Sequence, residues 1–184
     1  MSVLIEAICL VVPRVALDLR YPGGTEAFMA ELIHPSSEHR YICSDPHLVS
    51  VSYSTPDACD RTASSLVDAG MIEVAGCQFQ EMAIVDQSHG PILQCPWLVW
   101  SREPEGYTCA WIAGQDRGEI AAPEGWSAEK SQRLSRLGSR SAPADVLRLG
   151  EENGAEAWLD FRTGRITWYR SPGHLSHRLG TDKG

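Results

Sequence analysis

"LVSVSYSTPDACDRTASSLVDAG", residues 48–70, holds the two periodicities from which the fold follows. In its first part Val49, Val51 and Tyr53 alternate with Ser50 and Ser52. A repeat of two puts successive side chains on opposite faces, so the spacing predicts a half-buried strand over 48–54. The second part changes to a helical repeat. Thr55 can accept from the first free amides, Pro56 sits where no amide hydrogen is needed, and Asp57 suits the positive helix end. Cys59, Thr62, Ala63, Leu66 and Val67 then form one buried stripe, and Gly70 is the expected stop.

Towards the N-terminus, "SDPH" (44–47) is a turn between this strand and another at 40–43. Before it lies "YPGGT" (21–25). Pro22 and Gly23 fit the two central positions of a type II turn. Thr25 is expected to cap a helix whose apolar face is Phe28, Met29, Leu32 and Ile33, ended by Pro35. "VLIEAICLVV" (3–12) reads as one strand closed by Pro13. Towards the C-terminus, 79–86 reads as a strand, and 97–103 with 107–113 as a hairpin around "EPEG". The order is strand–helix–strand–strand–helix–strand and then a hairpin. It predicts an α+β domain over 1–126, with a ferredoxin-like βαββαβ order, added antiparallel strands and helices on one sheet face.

After Trp126 the composition changes. Ser, Arg and Lys dominate 127–145, so 127–150 is expected to be a linker or to hold a short surface helix at 130–137. A C-terminal hairpin is expected over 151–172, with strands at 155–161 and 166–170 around "RTGR". Trp158 and Phe161 would pair across it with Trp168 and Tyr169. A flexible tail, 173–184, follows.

A chain of 184 residues with 43% hydrophobic and 22% charged residues can bury a core without metal or disulfide. Its net charge of −8 is uneven. Residues 1–126 hold six basic and seventeen acidic side chains, a net of −11, and the remainder is +3. An acidic body repels phosphate backbones and anionic lipid, so neither nucleic acid nor membrane is an expected partner. The apolar N-terminus lacks a basic start and a cleavage pattern, and Glu6 interrupts it. A cytoplasmic setting with six reduced cysteines is the expectation.

Three constellations could carry chemistry. "AIVDQSHGPILQCPWLVW" (83–100) places Asp86, His89 and Cys95 close in sequence, the types needed for a thiol nucleophile, its base and an orienting carboxylate. The spacing alone does not supply the geometry, and Gly90-Pro91 fits a turn, with Cys95 as a packing residue. Gly23, Gly24 and Thr25 expose amides before a helix and could hold an anion, though Glu26 competes and no phosphate-loop spacing is present. His34, Glu38 and His39, or His174 and His177, lack the four convergent ligands of a structural metal site, so no metal or other cofactor is expected. Trp97, Trp100, Trp111 and Trp126 are candidate anchors for a protein partner. The leading expectation is a small acidic interaction or regulatory module without catalysis. The alternatives are a thiol-dependent hydrolase or transferase using Cys95, His89 and Asp86, and a small-ligand sensor.

Overall fold

The computed structural model describes residues 1–33, 39–129 and 131, and the backbone of three strands at 146–152, 155–160 and 165–170. The chain divides into two compact units, Met1–Ser141 and Ala142–Gly184. The first is α+β.

That unit opens with β1 (Ser2–Ile5) and β2 (Ile8–Pro13). A single strand was the expectation over 3–12, but the chain breaks at Glu6 and Ala7. Ala7 takes a φ of +54°, outside the extended region, and this bend sends β1 and β2 into different sheets. There follow α1 (Arg14–Arg20), α2 (Gly24–Leu32), β3 (His39–Ser44), β4 (Leu48–Tyr53) and α3 (Pro56–Asp68). The remaining strands are β5 (Val74–Ala75), β6 (Gln78–Phe79), β7 (Ala83–Asp86), β8 (Gly90–Pro91), β9 (Leu98–Arg102), β10 (Thr108–Ile112) and β11 (Ile120–Ala121).

One sheet has the order β3-β4-β2-β7-β8, with every neighbour antiparallel. The other has the order β11-β1-β10-β9, in which only the β1–β11 pair is parallel. α1 and α3 pack on β2, and α2 on α1. β4 shows how the sheets meet. All six of its residues are buried, which corrects the half-buried reading. Ser50 Oγ donates to the Leu4 carbonyl at 3.0 Å and Ser52 Oγ to the Glu6 carbonyl at 2.8 Å. The polar face of β4 therefore meets backbone of the second sheet instead of water. Small hydroxyls tolerate this burial because each finds an acceptor.

α3 follows its sequence signals closely. Thr55 Oγ1 accepts from the Ala58 amide at 3.4 Å. At the other end Met71 N bonds to Leu66 O and Gly70 N to Val67 O, the paired bonds of a Schellman stop. Ala58, Cys59, Ala63 and Leu66 are buried, whereas Val67 is 42% exposed and leaves the expected stripe. The turn before α2 closes with Gly24 N on Tyr21 O, and Gly23 sits at φ +80°. Phe28 and Leu32 are buried there, but Ile33 is 72% exposed and Met29 only half-buried. α1 has no counterpart in the sequence reading, because seven residues make under two turns and leave little periodicity. The strand expected over 79–86 is split. Gln80 and Glu81 donate to the carbonyls of Glu73 and Ile72, so the chain turns between β6 and β7.

The second unit is a three-stranded antiparallel meander of β12 (Val146–Glu152), β13 (Ala155–Asp160) and β14 (Arg165–Arg170). β12 begins inside the stretch expected as linker and makes the hairpin a sheet. The register sets Trp158 opposite Thr167 and Trp168 opposite Ala157, so these aromatics are not directly opposed. Pro35, Phe161 and most of 130–145 lie outside the described residues, as does the tail.

Candidate functional site: the sheet joint and the 83–102 hairpins

β7 ends at Asp86, and β8 returns along it with Val85 opposite Pro91 and Asp86 opposite Gly90. The turn is therefore Gln87, Ser88 and His89. Gly90-Pro91, expected to be the turn, is instead a short edge strand, where the missing proline amide hydrogen costs the sheet little. Asp86 Oδ1 accepts from the amides of Ser88 (2.7 Å) and His89 (2.9 Å) and lies 2.8 Å from His89 Nδ1. One carboxylate oxygen thus folds the turn and orients the imidazole. Gly90 has a φ of +83°, and a Cβ there would stand 2.3 Å from the Trp100 ring. The indole of β9 lies against the backbone of β8, which ties the edges of the two sheets together.

Cys95 lies on the connection from β8 to β9. Burial pushes its thiol up to about 12, only partly offset by the Leu98 and Trp97 amides. A thiol nucleophile needs the opposite shift. The structure joins Asp86 to His89, and burial shifts the Cys95 thiol away from the thiolate form. All six cysteines are free thiols. Burial also raises Cys9 to about 11 and Cys43 to about 12, and lifts Cys59 and Cys109.

The four candidate tryptophans are all half-buried. Trp97 Nε1 donates to the Phe79 carbonyl at 3.2 Å, and Trp126 Nε1 to Glu6 Oε1 at 2.7 Å. Trp111 lies opposite Val99 in the β9–β10 ladder. At the candidate anion turn, the Thr25 amide already donates to Asp18 Oδ1 at 2.9 Å, and this bond is the first cause holding Asp18 below its ordinary value. A carboxylate of the chain itself thus occupies the helix end. His34, Glu38, His174 and His177 lie outside the described residues, and no group of three or more metal-ligating side chains occurs among those described. Burial lowers the His39 pKa.

Two features escape the sequence reading. The first is a buried polar joint around the break at Glu6. Glu6 is 1% exposed, although Glu rarely lies buried. Ala7 and Gln87 exchange two hydrogen bonds at 2.9 Å: Gln87 N to Ala7 O, and Ala7 N to Gln87 Oε1. Thr108 Oγ1 donates to Gln87 O at 2.6 Å, fastening β10 to the same turn. The signal available was Glu6 itself, a charge inside an apolar run.

The second is the edge of β9. Glu103 N donates to Tyr107 O and Ala113 N to Trp97 O, each at 2.8 Å. Antiparallel alternation then directs the backbone of Val99 and Ser101 towards β10, and that of Trp100 and Arg102 away from it. Among the described strands β9 pairs with β10 alone. No family model matches the chain, and comparison with curated proteins and with solved structures finds no match.

Proposed function

We propose that the chain is a non-catalytic protein-interaction module that takes an extended, basic segment of a partner along β9. The observation that carries this reading is the outward backbone of Trp100 and Arg102, a row of donors and acceptors of the kind used in strand addition. The net charge of −11 over 1–126 supports a basic partner, since opposite charge steers the encounter. Half-buried Trp100 gives that edge an aromatic body beside the backbone. The order β7-β2-β4-β3, with helices before β3 and before β7, supports a ferredoxin-like reading of this sheet, extended by β8. Six free thiols support a reducing, cytoplasmic setting.

The enzyme alternative draws its support from the 2.8 Å contact of Asp86 with His89, which is how a carboxylate orients a general base. The high pKa of Cys95 argues against a thiol nucleophile. The ligand-sensor alternative has the Gly23–Thr25 turn, already filled by Asp18.

Arg102→Pro tests the leading reading. It removes an outward amide while sparing the inward bonds to β10, and Arg102→Gln controls for charge. A partner captured by cross-linking to the wild type should be lost with Arg102→Pro and kept with Arg102→Gln, with melting temperatures within a few degrees of each other. A partner retained by Arg102→Pro contradicts strand addition at β9.

A further inference from the structure

We propose that the second unit pairs the chain with a second copy of itself, through the apolar face of its three-stranded sheet. The described residues of that unit form one layer, β12-β13-β14, and the register sorts them into two unlike faces. One face carries the rows Leu147/Leu159/Ile166 and Gly150/Ala157/Trp168, which hold no charge. The row Glu152/Ala155/Arg170 closes that face at one end. On the other face Arg148, Glu151, Glu156, Asp160 and Arg165 bring a charge to every row. The register shift between Arg148 and Gly150 maintains this division. It places Gly150 on the apolar face and Glu151 on the polar one, where unbroken alternation along β12 would reverse them.

A sheet buries an apolar face only against another layer. This face complements itself when turned about a two-fold axis along β13. The rotation lays β12 of one copy over β14 of the other without exchanging the ends of the strands. Leu147 then stands over Ile166 of the second copy. Gly150, the smallest residue of the face, stands over Trp168, the largest. At the end row Glu152 stands over Arg170 of the second copy, and because each contact of an isologous pair occurs twice, opposite charges meet at both edges. Aligned stacking of two sheets keeps these rows in step. Strand rise and spacing give the face about 20 Å by 14 Å. That is at the small end for an interface, so the pair should be weak and reversible. This inference stands apart from the β9 reading and does not need it.

Sedimentation velocity of the full chain tests it. The chain should pass from monomer to dimer between about 5 and 500 μM. Ala157→Glu sets a charge in the middle of the apolar face and should leave a monomer throughout. Thr167→Glu sets the same charge on the other face and should leave the dimer unchanged. Glu152→Arg and Arg170→Glu each bring like charges over one another, so either should weaken the dimer by about tenfold. The two together should restore it. Circular dichroism melts show whether each variant keeps the fold, and the end-row variants stand in if Ala157→Glu does not. A wild type that stays monomeric to the highest concentration overturns the proposal. So does a dimer left intact by Ala157→Glu, folded by its melt, and so does a double charge exchange that fails to restore association.

Discussion

Gly90 is fixed by two constraints. Its φ of +83° strains any L side chain, and the Trp100 ring fills the place of a Cβ. Gly90→Ala should therefore destabilise the chain by about 1–3 kcal/mol through overpacking, with backbone strain in addition. Denaturant melts would check this, and a change under about half a kcal/mol would mean that the β8–β9 contact is loose. The sequence marks Gly90 as special but not for this reason. A glycine beside a proline suggests a turn, and only the approach of Trp100, ten residues later, makes it a packing position. Asp86 was easier to foresee, because aspartate bonds its own turn amides wherever a strand ends. Glu6 was visible as an interruption. Its burial depends on Trp126, 120 residues away, and no local pattern carries that information.

Among the elements, α3 is the most legible, because cap, first-turn proline, apolar stripe and stop all agree. Leu66 is fully buried on it, so Leu66→Ala should cost on the order of 2–5 kcal/mol. A loss below half a kcal/mol in urea melts would show that this face does not pack on the sheet. β4 illustrates the limit of periodicity. Alternation correctly gives its two faces, Val49, Val51 and Tyr53 against Ser50 and Ser52. It cannot reveal that a second sheet covers the serine face, since Ser50 and Ser52 need only a carbonyl each to be buried. The β1–β2 break was hidden for a related reason: both strands are apolar, and the bend is made at Ala7, a residue with no preference for positive φ. The Glu6-Ala7 bend is held by Gln87, so its cause lies in tertiary contacts.

At the scale of the molecule, the class and the acidic character of residues 1–126 followed from composition and element order, whereas the stacking of the two sheets did not. The 83–100 stretch takes its meaning from that stacking. Asp86, Gln87, Gly90 and Trp100 each make a contact that shapes a turn or joins the sheets, and Cys95 is half-buried on the connection from β8 to β9. We propose that this stretch is architecture and that the chain works by contact rather than by thiol chemistry. Peptide-resolved iodoacetamide labelling of the native chain, from about pH 6 to 9.5, tests it most directly, because the thiolate is the reacting form. Exposed Cys77 should label first. Cys95, with its thiol at about 12, should show no fast phase in this range, and its slow rate should still be rising at the highest pH. A fast Cys95 phase that titrates below the roughly 8.5 of a free thiol, and that His89→Ala abolishes, would contradict the account.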